Sequence, residues 1–269
     1  MSATNARFFD RHHLLLRRLH SLSGIVPIGA FLLMHLTTNS SIVWGRVTGH
    51  SGAEVFQHEV NFIHSLPALF LIEVFGLWLP IAFHAALGIV YATSGRSNVS
   101  RYGYGANWRY TLQRLSGYVG VLFIFYHVAT LRWSWDWLPL AGIFDADHAA
   151  STTAIALRGG VEDITWRAFV VGGFYLVCVS MLVFHFVNGL WTAAITWGLT
   201  VSTTAQKRWG AVCAAVGVGL FIAGVLAVLG FLTLDLNEAR RHESRLAGTP
   251  HMIVAPPSDV TLPAPRRDD

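Results

Sequence analysis

The chain is poor in charge and in cysteine, and it lacks the short motifs of nucleotide sites. Only 13% of its 269 residues are charged, whereas a soluble domain carries about 25%. The two cysteines, Cys178 and Cys213, lie singly inside apolar runs, so the chain has no cluster that could ligate an iron–sulfur centre. No GxGxxG or GxxxxGKS/T string occurs, which argues against a flavin or nucleotide site. Dispersed arginines argue against nucleic-acid binding, and the missing charge predicts a surface that faces lipid.

Five apolar runs are long enough to cross a hydrocarbon core of about 30 Å, which takes roughly 20 helical residues. They run from about Leu19 to Thr38, Leu66 to Thr93, Thr111 to Leu131, Arg167 to Trp197 and Trp209 to Leu234. Backbone groups in lipid must pair within their own segment, so these spans are predicted to be helices. The sequence therefore predicts an all-α membrane bundle of five transmembrane helices over residues 1–235. A polar tail follows over residues 236–269, with little structure expected after Glu238.

Loop charge predicts the orientation of the spans. Ten basic residues precede the first span or lie in the loops between spans two and three and between spans four and five: Arg7, Arg11, Arg17, Arg18, Arg96, Arg101, Arg109, Arg114, Lys207 and Arg208. The opposite loops hold four: Arg46, Arg132, Arg158 and Arg167. The first set defines an arginine-rich end, which the positive-inside rule places in the cytoplasm together with the N-terminus. The tail also carries arginines, but it follows the last span and is given less weight.

The first two spans and the next two look like two copies of one unit. The first span opens with LHSLSG and the third with LQRLSG; Gly24 precedes His35 by eleven residues, and Gly117 precedes His127 by ten. The second span contains FHAALG and the fourth contains FHFVNG.

Four histidines, His35, His84, His127 and His185, lie inside the first four spans, one in each. A single intramembrane histidine can be a hydrogen-bonded core residue, but four in a repeated arrangement favour a functional site. Imidazole is a common axial ligand of haem iron, and two histidines from facing helices close both axial positions. The pattern therefore predicts two b-type haems that carry electrons.

The depth of each histidine predicts which ones pair. At 1.5 Å per residue, His35 and His127 lie about 25 and 20 Å from the arginine-rich end, whereas His84 and His185 each lie about 27 Å from the opposite end. The predicted pairs are His35 with His127 in the outer half of the membrane, and His84 with His185 near the cytoplasmic side.

Long phrases of the chain resemble one family. The strings RRLHSLSGIVPIGAFLLMHL, HSLPALFLIEVFGLWLPIAFHAALG, LQRLSGYVGVLFIFYHV and FHFVNGLWTAAITWG resemble the cytochrome b558 membrane-anchor subunits of succinate:menaquinone oxidoreductases, from about Phe8 to Leu234. The family's four haem ligands fall on the four histidines named above, with the same pairing. The outer loop and the tail are longer than in the family and inherit no role.

The resemblance also implies partners and a location. A flavoprotein subunit with covalent FAD would oxidise succinate, and an iron–sulfur subunit would dock on the cytoplasmic face of this chain. Electrons would pass through the two haems to menaquinone in the bacterial cytoplasmic (inner) membrane. This chain would hold haem and part of the quinone site but would not bind succinate.

Two sets of residues are candidates for the quinone site. On the cytoplasmic side these are Arg18, His20, Ser21 and Ser23, although related anchors have an HRxSG-like string where this chain has HSLSG. Topology signals and helix capping explain these residues equally well. Glu73, read as an unpaired acid in the outer half of the second span, is a candidate proton donor to an outer quinone site.

Three other functions remain open from the sequence. The same architecture can run in reverse as a fumarate reductase anchor. A haem anchor of another respiratory dehydrogenase, oxidising formate or hydrogen, would distribute its histidines differently among the helices. A transporter or structural membrane protein with hydrogen-bonded histidines would show no b-type absorption.

Overall fold

Helices account for all regular secondary structure in the part of the chain that the computed structural model describes, residues 3–94, 100–101 and 103–246. They are α1 (Ala3–Ile25), α2 (Pro27–Trp44), α3 (Gly52–His64), α4 (Leu69–Glu73), α5 (Leu79–Ser94), α6 (Gly105–Leu131), α7 (Ala149–Leu157), α8 (Trp166–Thr196), α9 (Thr203–Leu232) and α10 (Leu236–Leu246). A π-helical turn at Val74–Trp78 joins α4 to α5. The predicted all-α fold is confirmed.

Five helical segments are long and apolar enough to cross a membrane, as predicted. They are Arg11–Thr48, Leu69–Ser94, Asn107–Leu131, Trp166–Thr196 and Thr203–Leu232. Large apolar side chains on them point away from the protein: Phe70, Leu122 and Phe169 are 70%, 73% and 76% exposed. Such surface is stable only in contact with lipid or another apolar partner.

The first span consists of two helices because of a proline. α1 ends at Ile25, and α2 begins at Pro27, whose ring nitrogen has no hydrogen to donate to the preceding turn. Hydrogen bonding resumes at once, since the amide of Ala30 donates to the carbonyl of Val26 at 3.1 Å. The chain therefore continues in nearly the same direction and crosses the bundle as one span.

The most extensive contacts between spans involve α8 and α9. α8 packs along both α9 and α6, α2 packs against α9, and α1 packs against α5. The two copies inferred from the sequence, α1–α2 with α5 and α6 with α8, thus lie in one bundle, and α9 fills the side between α2 and α8.

The end of the bundle opposite the arginine-rich end carries a small helical cap made of α3, α7 and α10. Buried polar side chains join these helices. The carboxylate of Glu243, which is fully buried, accepts hydrogen bonds from the amide and the hydroxyl of Ser151, both at 2.7 Å. Gln57, which is 1% exposed, donates to the carbonyl of Ala146 at 2.7 Å and accepts from the amide of Ala149 at 2.8 Å.

The cap corrects one prediction about the tail. Little structure was expected after Glu238, but α10 continues to Leu246 and buries Glu243 in the cap. Arg158, directly after α7, binds the end of α9. Its guanidinium donates to the carbonyls of Leu232 at 3.2 Å and Leu234 at 2.6 Å. The division of the chain after residue 235 stays a prediction, and residues 247–269 lie outside the described residues.

Candidate functional site

The structure brings the four intramembrane histidines together in two pairs. His35 on α2 faces His127 on α6, with ring centres 5.7 Å apart and ring planes at 84°. His84 on α5 faces His185 on α8, with ring centres 6.1 Å apart and ring planes at 79°. These are the pairs that the depth of each histidine predicts. His35 and His127 lie towards the capped end, and His84 and His185 lie towards the arginine-rich end. They are called the outer pair and the inner pair, after the orientation that loop charge predicts.

The spacing within each pair suits one haem iron. Nitrogen ligands lie about 2.0–2.1 Å from a bound metal, as zinc sites show, so two imidazoles on opposite sides of one ion have ring centres about 6 Å apart. Both measured separations are close to that value. No group of three or more His, Cys, Asp or Glu side chains within the described ranges could hold a bare metal ion. Haem iron, in contrast, takes only its axial ligands from the protein.

Backbone carbonyls fix the orientation of the inner pair in the same way in both copies. The Nδ1 atom of His84 lies 2.9 Å from the carbonyl oxygen of His20, and that of His185 lies 3.0 Å from the carbonyl oxygen of Gln113. The two carbonyls occupy the second position of LHSLSG and of LQRLSG. An Nδ1–H group that donates to a carbonyl leaves Nε2 unprotonated and available to a metal.

The serines and glycines of the repeated strings also lie against the rings of His84 and His185. The hydroxyl oxygen of Ser23 lies 3.4 Å from His84 Nδ1, and that of Ser116 lies 3.2 Å from His185 Nδ1. A Cβ atom added at Gly24 would come within 2.5 Å of His84 Cε1, and one at Gly117 would lie 3.1 Å from His185 Cε1. The repeat thus encodes the close approach of one helix to the imidazole of its neighbour.

The outer pair has different neighbours. His127 Nδ1 lies 3.4 Å from the hydroxyl of Tyr175, and its ring stacks on Phe123 at 5.6 Å and 25°. The side-chain nitrogen of Asn39 lies 3.4 Å from His35 Nδ1 and donates to the His35 carbonyl at 2.8 Å. Phe123 and Tyr175 belong to the apolar core that also contains residues of α3, α7 and α10, so the outer pair lies directly beneath the cap.

The structure divides the four predicted cytoplasmic quinone residues between two places. Ser23 and His20 lie against His84, as described above. Ser21 faces the other way, where its hydroxyl donates to the carbonyl of Arg18 and accepts from Trp197 Nε1, both at 2.9 Å. Arg18 and Trp197 line an open cleft of about 270 Å³ with Leu19 and Leu22. The four residues therefore do not form a single site.

The interpretation of Glu73 as an unpaired acid is wrong. Its two carboxylate oxygens accept hydrogen bonds from Arg132, at 3.2 Å from Nε and 3.0 Å from Nη2. The partner is 59 residues away in the sequence, which is why the sequence did not reveal it. The π-helical turn begins directly after Glu73 in the chain. Its last residue, Trp78, stacks on Trp133 with ring centres 5.7 Å apart. Glu73 lies at the capped end of the bundle, opposite the arginine-rich end.

A second acid near the outer pair was missed by the sequence reasoning. Glu59 on α3 has one carboxylate oxygen, Oε2, that is buried without a hydrogen-bond partner among the described residues. Burial raises the pKa of Glu59, and a hydrogen bond from Thr38 lowers it by less. Thr38 lies three residues after His35 on α2. The only sequence signal was an acid among apolar residues in the string HEVNFIH, which lies outside every predicted span.

Comparison with known proteins identifies a relative across most of the chain. The succinate dehydrogenase cytochrome b558 subunit of Bacillus subtilis (strain 168) is 33% identical over 222 residues, which are 80% of this chain and 96% of that protein. No protein-family model matches the chain, and no solved structure matches it. The identity extends over nearly the whole relative and agrees with the five membrane-spanning helices. This multi-pass membrane protein therefore belongs to the family of succinate dehydrogenase cytochrome b558 subunits.

Proposed function

We propose that this chain is the di-haem membrane anchor of a succinate dehydrogenase and carries electrons from succinate oxidation to menaquinone. His35 and His127 would hold the outer haem b, and His84 and His185 the inner one. When bound, a bis-histidine b haem supplies one-electron transfer at an iron with no open coordination position. The chain's own residues hold the imidazoles in place and surround them with helices. Succinate itself would bind to another subunit, since the chain has no flavin motif.

The observation that carries the proposal is the duplicated environment of the inner pair. A carbonyl, a serine and a glycine from one helix contact His84, and the same three groups from another helix contact His185. Histidines that served only as core hydrogen-bond partners would also have an acceptor for one ring N–H, but they would need neither the same set of neighbours in both copies nor a ring separation near 6 Å. Both features are what two axial ligands of one iron require.

The soluble subunits are proposed to dock at the arginine-rich end, which we assign to the cytoplasm. Arg101, Lys207 and Arg208 are exposed there, and Arg96 lies outside the described residues. The excess of basic residues at this end follows the positive-inside rule. A flavoprotein with FAD and a subunit with iron–sulfur clusters would then deliver electrons first to the inner pair, and next to the outer pair. The membrane is proposed to be the bacterial cytoplasmic membrane.

Menaquinone is proposed to be reduced near the outer pair, with Glu59 as a proton donor. A partly buried carboxyl with a raised pKa holds a proton at higher pH than an exposed one, and reduction of a quinone consumes protons. Glu73 remains a second candidate at the same end, but its carboxylate is already bound by Arg132 in an ion pair. The cytoplasmic candidates Arg18, His20, Ser21 and Ser23 are less suited to one quinone, because they face two different places.

Difference spectra of histidine variants test the haem proposal. His35→Ala and His127→Ala, in the intact complex, should each remove one b-type component, and His84→Ala and His185→Ala the other. His64→Ala is a matched control, because His64 is exposed outside the spans. Loss of the same component from His35→Ala and His84→Ala would show that the pairing is wrong. Faster turnover with quinol and fumarate than with succinate would make the complex a fumarate reductase.

Two conservative variants test the proton donor. Glu59→Gln should retain both haem spectra and electron transfer from succinate to a soluble dye, yet lose menaquinone reduction, because the amide cannot titrate. Glu73→Gln in parallel distinguishes the two acids, since only the proton donor should show this selective loss. Normal menaquinone reduction in both variants would remove both acids from the mechanism.

A further inference from the structure

The two structural copies differ at one position close to the inner pair of histidines. His20 occupies it in the first copy and Gln113 in the second, and both backbone carbonyls accept from a histidine Nδ1. Both side chains also lie against a glycine of a neighbouring span. A Cβ atom at Gly88 would lie 3.3 Å from His20 Cε1, and one at Gly189 would lie 3.7 Å from Gln113 Nε2. The two side chains therefore occupy corresponding places in the bundle.

In the second copy this place is closed by hydrogen bonds. Gln113 Nε2 donates to the carbonyl of His185 at 3.1 Å, and Gln113 Oε1 accepts from Asn188 Nδ2 at 2.8 Å. The side-chain oxygen of Asn188 accepts from Arg109 Nε at 2.9 Å. The Arg109 guanidinium in turn lies 4.0 Å from the ring centre of Trp191. Both ends of the Gln113 amide are thus engaged by the protein.

In the first copy two neighbouring polar groups are buried without a partner in the described structure. They are His20 Nδ1 and the hydroxyl of Tyr91. The His20 ring stacks on that of His84 at 4.0 Å and 12°, and Tyr91 stands edge-on to His20 at 5.6 Å. The guanidinium carbon of Arg17 lies 5.5 Å from the centre of the Tyr91 ring. Nearly all buried polar atoms of folded proteins have a hydrogen-bond partner, so two adjacent exceptions need a reason.

We propose that His20 and Tyr91, with the positive charge of Arg17, bind oxygen atoms of an anionic ligand beside His84. Neutral donors next to a cation complement an oxyanion, and hydrogen bonds to such an acceptor are stronger than those between neutral groups. Two sources share this chemistry: a carboxylate of the inner haem, and the negatively charged oxygen of a quinone that has taken up electrons but not yet a proton. The inference rests on the proposed function, since both ligands presuppose it. It also makes the inner ends of the two copies chemically different.

Redox titration of the inner haem in the intact complex tests this site. Tyr91→Phe removes one hydroxyl, and His20→Gln installs the side chain found in the second copy. If the anion is the haem carboxylate, loss of a donor to it leaves more negative charge beside the iron, so the inner midpoint potential should fall. We expect a threefold to tenfold change in the reduction equilibrium, where tenfold corresponds to about 59 mV for one electron. Tyr110→Phe is the matched control, because Tyr110 also lies near an arginine at the same end but is 47% exposed.

Infrared difference spectra with ¹³C-labelled haem carboxylates identify the ligand. If the ligand is the haem, the labelled carboxylate band shifts in Tyr91→Phe together with the potential. If it is the quinone, potential and band stay constant, and KM for a menaquinone analogue rises threefold to tenfold. Unchanged potential, band and KM in both variants would overturn the site. Absence of the inner haem from the unmodified complex would instead refute the proposed function. If His20→Gln fails to retain the haem, the potential, band and KM of Tyr91→Phe alone test the site.

Discussion

Replacement of Gly24 by alanine should displace His84, one of the four proposed haem ligands, without touching the other three. The added Cβ would lie 2.5 Å from His84 Cε1 and 2.9 Å from His84 Nδ1, whereas ordinary contacts begin at 3.4 Å. The imidazole must therefore move by roughly 1 Å, about twice the tolerance of ~0.5 Å for a working site. Strain of this kind costs about 1–3 kcal/mol. The hydrogen bond from His84 Nδ1 to the carbonyl of His20, worth about 0.5–1.5 kcal/mol, would weaken as well.

Haem content and difference spectra of the purified complex measure this effect. Gly24→Ala should lower or remove the inner component and leave the outer one unchanged. Gly117→Ala should do less, because its Cβ would lie 3.1 Å from His185 Cε1, a distance that a small shift of the ring can relieve. Gly219→Ala on α9 is the control, since nothing lies within 4 Å of its Cβ position. An inner haem at full occupancy with an unshifted spectrum in Gly24→Ala would refute the assignment of His84 as a ligand held by this helix.

Two further predictions concern the cap. Glu243→Ala leaves the buried amide of Ser151 without an acceptor, at about 1–3 kcal/mol, and leaves its hydroxyl only the carbonyl of His148 at 3.3 Å. Trypsin should therefore cleave at the arginines of α10 faster than in the unmodified complex, and an unchanged rate would contradict the role of this carboxylate. The hydrogen bond with His148 holds the pKa of Asp145 below its usual range. Its contribution is present above the unfolded pKa of about 3.9 and is lost as the pH falls through the lower folded value, so the protection of α7 amides, relative to their intrinsic exchange rate at the same pH, should fall below about pH 4. The effect should stay under about 1 kcal/mol because the Asp145 side chain is 51% exposed.

The spans and the histidine pairs were predictable because both depend on local patterns. Apolar length specifies a membrane helix regardless of its neighbours. The depth of a histidine follows from its distance along one helix, so His35 and His127 share a level even though 92 residues separate them in the sequence. The pairing needed no knowledge of how the helices pack, because each level holds only two of the four intramembrane histidines.

The cap was not predictable, because its contacts join distant polar residues. Gln57 and Ala149 are 92 residues apart, as are Ser151 and Glu243. A polar residue whose partner lies that far away looks the same in sequence as a solvated one. The charged tail was therefore interpreted as unstructured, although Leu236, Ala239 and Glu243 recur at helical spacing on the buried face of α10. The acid of the Arg132 ion pair, Glu73, was misread for the same reason.

The one-residue difference between the two copies acquires a physical meaning from the break in the first span. Gly24 and Gly117 each face a histidine of the inner pair, and the ligands of the outer pair follow after eleven and ten residues. In a continuous helix one extra residue turns every later side chain by about 100°, which would carry His35 away from His127. The structure places the proline break between Gly24 and His35, at the junction of α1 and α2. The extra residue of the first copy and its proline break thus lie in the same stretch of the span, between the glycine that faces one histidine pair and the histidine that belongs to the other.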